Sequence, residues 1–329
     1  MLILNAEEVR QALPMKQAIA AMKEAYAALS NGTATVPLRT RLQIPSHEAI
    51  SLFMPAYMKS DTDEALAIKV VSLYPHNPSR GLAYIQAAVL VLESDTGRAI
   101  ALLEGSTLTA IRTGAGSGAA IDQLAREDSK VVAIFGAGAQ GRTQLEAACN
   151  ARNIETAFIY NPSLENAKAF AEEMAGHNSI PNDIRVATTP KDAIEHADII
   201  CTATPSPKPV FDDNDVKPGT HISAIGAYTP EMQEIPVETV ARARIVVDSY
   251  ATVMDEAGDI VQAIRAGAIQ ESIIHAELGE IVLGKKSGRE SDDEITFFKS
   301  VGNAVQDAVA AQLALQNART IGLGTEVDF

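Results

Sequence analysis

SKVVAIFGAGAQGRTQLEAACN, residues 129–150, decides the fold of this chain. Residues 131–135 form a short continuous apolar run, the pattern of a parallel strand covered on both faces. The run ends in Gly136-Ala137-Gly138-Ala139-Gln140-Gly141, a G-x-G-x-x-G. From Gln140 the chain reads as a helix with Gly141, Leu145 and Ala148 on one side. In such a turn the first glycine allows the tight bend, the second lets a pyrophosphate approach the backbone, and the third lets helix and strand pack closely. The helix N-terminus supplies free N–H groups and the positive end of a dipole for the phosphates. Alone the hexapeptide is a weak signal. Between one strand and a helix, with another strand at 157–160, it predicts a dinucleotide-binding βαβ unit.

C-terminal to this unit the alternation continues. Helical patterns at 164–175 and 190–196 are interleaved with strand patterns at 184–187, 198–202, 221–225 and 245–248, the last clear strand of the series. The spacing predicts an α/β domain with a Rossmann-type, doubly wound parallel sheet. Ligands of such sheets bind at the carboxyl ends of the strands. Thr202, Ala203 and Thr204 fall at one such end, and Ala224, Gly226 and Ala227 at the next. Where an acidic residue would hold the ribose 2′-OH of NAD, this chain has Asn161, with Ser163 and Lys168 nearby. No carboxylate repels a 2′-phosphate and no arginine grips one. The cofactor expected is NADP(H) or NAD(H), with a lean towards NADP(H) or use of both.

N-terminal to the unit the pattern changes. A short strand at 2–4 precedes Asn5 and Glu8, which have the spacing of a capping box. Pro14 opens a helix carrying Met15, Ile19, Met22, Tyr26 and Leu29 on one face and stopped by Asn31-Gly32. Residues 36–44 alternate, with Leu38, Thr40, Leu42 and Ile44 on one face and Arg39, Arg41 and Gln43 on the other; another strand is expected at 50–54. Residues 65–73 form a strand that is apolar on both faces around Lys69. A buried lysine needs an anion, and burial lowers its pKa towards the range of proton transfer. The choice is between a lysine that meets a substrate carboxylate and one that snorkels to water at a strand end.

Strands at 84–92 and 98–103 meet through Ser94-Asp95-Thr96-Gly97, a hairpin signal. A helix at 106–125 then places Arg112 among small residues, where a carboxylate clamp fits. Residues 295–298 are strand-like, and an alanine-rich helix at 300–315 follows a charged loop. The organisation expected is a discontinuous α+β substrate-binding and dimerisation domain, residues 1–117 and 311–329, around a dinucleotide domain at 118–310.

The 329 residues are enough for two cores. The 27 basic against 42 acidic side chains leave a net charge of −15, which argues against nucleic acid or an anionic membrane as partner. Cys149 and Cys201 lie in apolar segments, as reduced thiols of a cytoplasmic protein would. The first residues lack the pattern of a signal peptide, and no apolar stretch reaches the ~18 residues of a membrane span. Six scattered histidines have no metal-ligand spacing, so no metal is expected.

Taken together, VPLRT, FMPAY, ALAIKVVSLYP, TAIRTGAGSGAA, FGAGAQG, DIICTATPS, the G-x-x-x-P-x-x-x-E from Gly226 to Glu234, and ITFFKSVGNAVQDAVAA resemble the ornithine cyclodeaminase/μ-crystallin family over essentially the whole chain. The resemblance implies a homodimer built through the N-terminal domains, a bound nicotinamide dinucleotide, and a site between the domains. It implies that Lys69 and Arg112 are the catalytic pair that binds the substrate carboxylate. Arg39 resembles the third basic residue, with Arg41 on the same strand face as the alternative. Thr113, Ala139, Gln140, Asn161, Thr202 and the turn from Ala224 to Ala227 match cofactor-lining positions.

One departure matters. The cyclodeaminases place an aspartate where this chain has Tyr228, and a tyrosine is no anionic base near neutral pH. The turn is more similar to that of the family's cyclic-imino-acid reductases. The expected reaction is therefore reduction of 1-pyrroline-2-carboxylate or 1-piperideine-2-carboxylate by NAD(P)H, the small-molecule partner being an imino or amino acid carboxylate. The alternatives are ornithine cyclodeamination, an alanine-dehydrogenase-like activity, and a non-catalytic ligand-binding protein like μ-crystallin.

Overall fold

The chain opens with strand β1 (Leu2–Leu4), turned into helix α1 (Ala6–Ala12) by a reciprocal cap. Asn5 Oδ1 accepts from the Glu7 and Glu8 N–H groups at 3.0 and 3.1 Å, and Glu8 Oε2 accepts from Asn5 N–H at 2.8 Å. Pro14 sets the start of α2 (Met15–Asn31), and Gly32, in the left-handed region at φ 76°, ends it. Its face of Met15, Ala18, Met22 and Tyr26 is buried. Strands β2 (Ala34–Thr35), β3 (Thr40–Ile44), β4 (Ala49–Lys59), β5 (Glu64–Leu73), β6 (Ile85–Leu92) and β7 (Ala99–Glu104) follow, then the long helix α3 (Gly105–Leu124). This is a computed structural model, and it describes residues 1–60 and 64–329.

After α3 the period of the pattern changes to strand and helix in turn. The elements are β8 (Val131–Phe135), α4 (Ala139–Ala151), β9 (Thr156–Tyr160), α5 (Leu164–Met174), β10 (Ile184–Val186), α6 (Pro190–Ile194), β11 (Ile199–Thr202), β12 (His221–Ala224) and α7 (Val237–Arg242). They continue with β13 (Arg244–Val247), α8 (Tyr250–Glu256), α9 (Gly258–Arg265), β14 (Ala276–Glu277), α10 (Leu278–Val282) and β15 (Thr296–Lys299). The chain ends with α11 (Ala304–Ile321) and β16 (Thr325–Glu326).

Two compact units result. One comprises Met1–Arg112 with Asn303–Phe329, the other Thr113–Gly302. The first is a mixed sheet in the order β16-β1-β7-β6-β5-β4-β2, with β3 paired to β4. The strands from β4 to β7 form an antiparallel meander, and β1 lies parallel to β7. Helix α11 packs across β4, β5 and β6 and against α2.

The stretch expected as one strand over 36–44 is a strand only from Thr40. Pro37 has no N–H to give to a ladder. Both faces of β3 are open: Thr40, Arg41, Leu42 and Gln43 are all exposed, as is Leu38 just before it.

The second unit is an eight-stranded sheet in the order β10-β9-β8-β11-β12-β15-β13-β14, parallel at every pairing. Alternation along β8 divides its side chains between two cores. Val132 and Ile134 join Leu145, Phe170 and Cys201, while Ala133 and Phe135 join Phe211, Ile222 and Phe297. A strand buried on both faces has no polar side, which is why the sequence of β8 reads as continuously apolar. The sheet is the doubly wound, Rossmann-type one expected from the alternation. It runs beyond the clear series that ends at 245–248: β14 follows β13 in the chain, and the strand-like stretch at 295–298 is β15. The late strand β15 enters between β12 and β13 with Phe297 and Phe298 fully buried. Cys149 and Cys201 are free and buried. Among the described residues no helix is long and apolar enough to cross a membrane.

Candidate active site

Lys69 sits in the middle of β5, between Met54 of β4 and Val89 of β6, and is 2% exposed. The helix that covers this sheet supplies its anion. Asp307, in the first turn of α11, places Oδ2 2.7 Å from Lys69 Nζ. Its Oδ1 accepts from Arg112 Nε at 2.9 Å. Arg112 Nη1 also donates to Gln306 Oε1 at 3.1 Å, which accepts from Asn303 N–H at 2.9 Å as well. Gln306 Nε2 in turn donates to the Tyr26 hydroxyl at 2.7 Å. Asp307, Gln306, Arg112 and Tyr26 are all buried.

Two cations thus share one carboxylate out of water. A surplus positive charge in such surroundings is costly, and an incoming carboxylate offsets it. Burial pulls the Lys69 ammonium down from 10.5 to about 8, against the attraction of Asp307 and with Arg112 and Arg39 pushing the same way. Of the two arginines near the start of β3, Arg39 is half-buried and its charge acts on Lys69, whereas Arg41 is exposed. Asp307 and Gln306 are not among the site residues expected from sequence, and Tyr26 is expected only as part of the apolar face of α2. The available signal was an acidic side chain inside an apolar, alanine-rich helix, where an unpaired carboxylate is not tolerated.

The glycine turn has the geometry that its spacing demands. Gly136 has φ 104°, and a Cβ there would lie 2.6 Å from Ala203 O. A Cβ on Gly141 would lie 2.0 Å from Gly136 O. Gly138 differs: a Cβ there would meet nothing within 4 Å, so this side of the turn is open for a phosphate. Gly138 is also the N-cap of α4, and no side chain caps the helix, which leaves its first N–H groups facing outward. Buried Gln140 Oε1 and Thr202 Oγ1 have no hydrogen-bond partner among the described residues. These features fit a dinucleotide.

Asn161 braces the turn, accepting from Ala137 N–H at 3.2 Å and donating to Ser163 O at 3.1 Å. Ser163 Oγ caps α5 by accepting from Asn166 N–H at 3.3 Å. Arg142 holds the outer side of the turn. Its Nη1 donates to the Ala137 and Gly138 carbonyls at 2.7 and 3.1 Å, its Nε donates to Glu173, and its guanidinium lies 5.0 Å from the Phe170 ring centroid. At the neighbouring strand ends, Ala203 N–H donates to Phe135 O at 2.9 Å and Ile225 N–H to Thr202 O at 3.0 Å, joining the ends of β8, β11 and β12. Tyr228, just beyond, is partly exposed. Thr113 follows Arg112 in α3, at the start of the second unit.

The sequence model of the ornithine cyclodeaminase/mu-crystallin family matches residues 1–321. The chain belongs to this family. Among its relatives is a Delta(1)-pyrroline-2-carboxylate reductase of Bacillus cereus, 39% identical over 330 residues, with all of both chains covered. The Thermococcus litoralis Delta(1)-pyrroline-2-carboxylate reductase, solved in complex with NADH and L-proline, superimposes with a TM-score of 0.94 at 45% identity. That match covers 99% of this chain and 100% of the other. An archaeal alanine dehydrogenase, solved as a dimer with bound NAD, gives a TM-score of 0.91 at 34% identity, covering 100% and 99%. The family resemblance seen in the sequence therefore holds along the whole chain and in three dimensions.

Proposed function

We propose that this protein reduces Δ1-pyrroline-2-carboxylate to L-proline with a nicotinamide dinucleotide, NADH or NADPH, as hydride donor. The observation that carries this reading is the buried Lys69–Asp307–Arg112 cluster with its surplus positive charge, in a chain 45% identical to a reductase solved with NADH and L-proline. Arg112 and Lys69 bind the imino acid carboxylate through charge-assisted hydrogen bonds, with Arg39 as third cation and Asp307 keeping the pair in register. Fixing the carboxylate orients the imine carbon that bears it, and orientation of this kind removes much of a reaction's barrier. The cofactor, held by Gly136, Gly138, Gly141 and the N-terminus of α4, supplies the hydride when bound. Lys69 holds a proton at Nζ at neutral pH and can pass it to the ring nitrogen, which gains basicity as the C=N bond is reduced.

Tyr228 occupies the position of the cyclodeaminases' aspartate, which disfavours ornithine as substrate. The exposed edge around Leu38 and Leu42 is an apolar surface suited to a second copy, and a homodimer is the assembly proposed. The buried free thiols of Cys149 and Cys201 suit the reducing cytoplasm.

The deciding experiment is spectrophotometric. NADH and NADPH are each offered 1-pyrroline-2-carboxylate, 1-piperideine-2-carboxylate, or pyruvate with ammonia, and ornithine is tested for ammonia release. Cofactor oxidation fastest with 1-pyrroline-2-carboxylate is expected. No turnover of either cyclic imino acid overturns the proposal, and preferred use of pyruvate with ammonia or of ornithine replaces it.

A further inference from the structure

At the carboxyl ends of β11 and β12, a carboxylate with no part in the chemistry above ties two turns together. Glu234 is fully buried and accepts three backbone N–H groups. Thr204 N–H donates to Oε1 at 2.6 Å, and Gly226 and Ala227 N–H donate to Oε2 at 2.7 and 3.2 Å. The fit is close. A Cβ on Gly226 would lie 2.2 Å from Thr204 O and 2.5 Å from Glu234 Oε1, so the residue there must lack a side chain.

Glu234 is itself held from behind. Its own N–H and that of Ile235 donate to Asp259 Oδ1 at 2.7 and 2.9 Å, and Asp259 Oδ2 pairs with Lys299 Nζ at 2.8 Å. Asp259 and Lys299 are fully buried, and Lys299 ends β15 beside Ala224 at the end of β12. Gly258 lets α9 approach the same segment, since a Cβ there would lie 1.8 Å from Met232 O. Gln262 donates to the Pro230 and Met232 carbonyls at 3.2 and 3.1 Å.

Simple packing does not account for this arrangement. Burying a carboxylate is expensive, and an apolar side chain would fill the space at lower cost. Burial and Asp259 raise the Glu234 carboxyl, while Lys299 and the Thr204 N–H oppose them. Three N–H donors converging on two oxygens favour an acceptor-only group: an amide would turn a hydrogen towards one of them, and a protonated acid gives one lone pair to its own hydrogen. The turns so fixed contain Thr204, Gly226 and Ala227, three of the strand-end positions expected to border the cofactor.

We propose that Glu234 is a positioning residue, setting the two strand-end turns on which the nicotinamide half of the cofactor rests. This rests on the dinucleotide reading above and extends it to a residue that touches neither ligand.

The test compares Glu234→Gln and Glu234→Asp with the wild-type chain, using NADH fluorescence titration and steady-state kinetics with Δ1-pyrroline-2-carboxylate. Glu234→Gln is expected to weaken NADH binding and lower kcat at least tenfold each. KM for the imino acid should stay within twofold, because Lys69 and Arg112 are untouched. Glu234→Asp keeps the charge but cannot reach all three N–H groups, and an intermediate loss is expected. An aspartate variant with wild-type NADH affinity and kcat overturns the proposal, whether or not the glutamine variant folds. Lowered thermal stability with unchanged NADH affinity also overturns it, by reducing Glu234 to a structural role. If the wild type binds NADH but reduces no imino acid, the substrate assignment fails and the NADH titrations still decide the role of Glu234.

Discussion

The Asp307 carboxylate lies 2.7 Å from Lys69 Nζ and 2.9 Å from Arg112 Nε, so one anion from the last long helix orders two cations 195 or more residues earlier in the chain. Removing it leaves two like charges buried together. Asp307→Asn is expected to lower unfolding free energy by about 3–5 kcal/mol, the usual cost of breaking a buried pair. In the folded fraction kcat/KM should drop on the order of 100-fold, as Lys69 and Arg112 lose their common reference. Urea denaturation and initial rates measure the two effects. Wild-type values for both would show that Asp307 neither orders nor neutralises the pair.

Lys69 makes the reaction pH-dependent in a defined direction. Burial lowers its ammonium from 10.5 to about 8. Below that value the side chain is charged, able to bind a carboxylate and hold a proton; above it, both abilities are lost. The rate of reduction should therefore fall as pH rises through about 8, and Lys69→Arg, weaker in activity, should lose that limb.

Stability moves the other way. Between about 8 and 10.5 the unfolded chain holds a proton that the folded chain has released, so unfolding becomes less favourable with rising pH. Relative to Lys69→Met, the wild type should gain about 3 kcal/mol across that window. Denaturation curves at about pH 7.5 and about pH 10.5, on either side of the shift, would expose a wrong sign.

What could be read from sequence was local. The apolar run of β8 and the glycines after it lie within a few turns of chain, so spacing alone conveyed the dinucleotide unit. Lys69 stood out because a single charge interrupted a strand that was apolar on both faces. Asp307 did not, because the alanines around it read as helix packing and its partners are distant in the chain. The place of β15, between β12 and β13, depends on crossover paths that leave no mark in periodicity. Glu234 was visible only as the end of a spaced motif. Its role emerges when Thr204, Gly226 and Ala227 are seen to converge on it. Arg142 could not be told from a surface arginine, since spacing marks neither the Ala137 and Gly138 carbonyls nor the distant Glu173 that it meets.

Two glycines of the turn, Gly138 and Gly141, should separate by phenotype. Gly141→Ala would put a methyl group 2.0 Å from Gly136 O, and loss of stability by several kcal/mol is expected, on the order of other overpacked sites. Gly138 has room for the methyl group and a backbone open to alanine, at φ −88° and ψ −171°. Gly138→Ala should fold with little change in melting temperature. It should nonetheless raise KM for the dinucleotide at least tenfold, because the methyl group occupies the approach to the pyrophosphate. Thermal melts paired with cofactor titrations distinguish the two. Equal destabilisation by both substitutions would mean that the open side of the turn is not where the phosphates lie.

Arg39 and Arg41 flank Thr40 at the start of β3 but should contribute unequally. The Arg39 charge acts on Lys69, and the side chain is half-buried; Arg41 is exposed. A charge-assisted hydrogen bond to a carboxylate contributes about 1.5–3 kcal/mol when desolvated, a factor of roughly 10–150 in affinity. An exposed arginine acting through water contributes a fraction of that. Arg39→Ala should therefore raise KM for Δ1-pyrroline-2-carboxylate at least tenfold with little effect on NADH affinity, and Arg41→Ala should change KM less than twofold. The salt dependence separates the two further, because screening weakens an exposed charge more than a buried one. If Arg41→Ala proves the more damaging, the third cation of the carboxylate site is Arg41 and not Arg39.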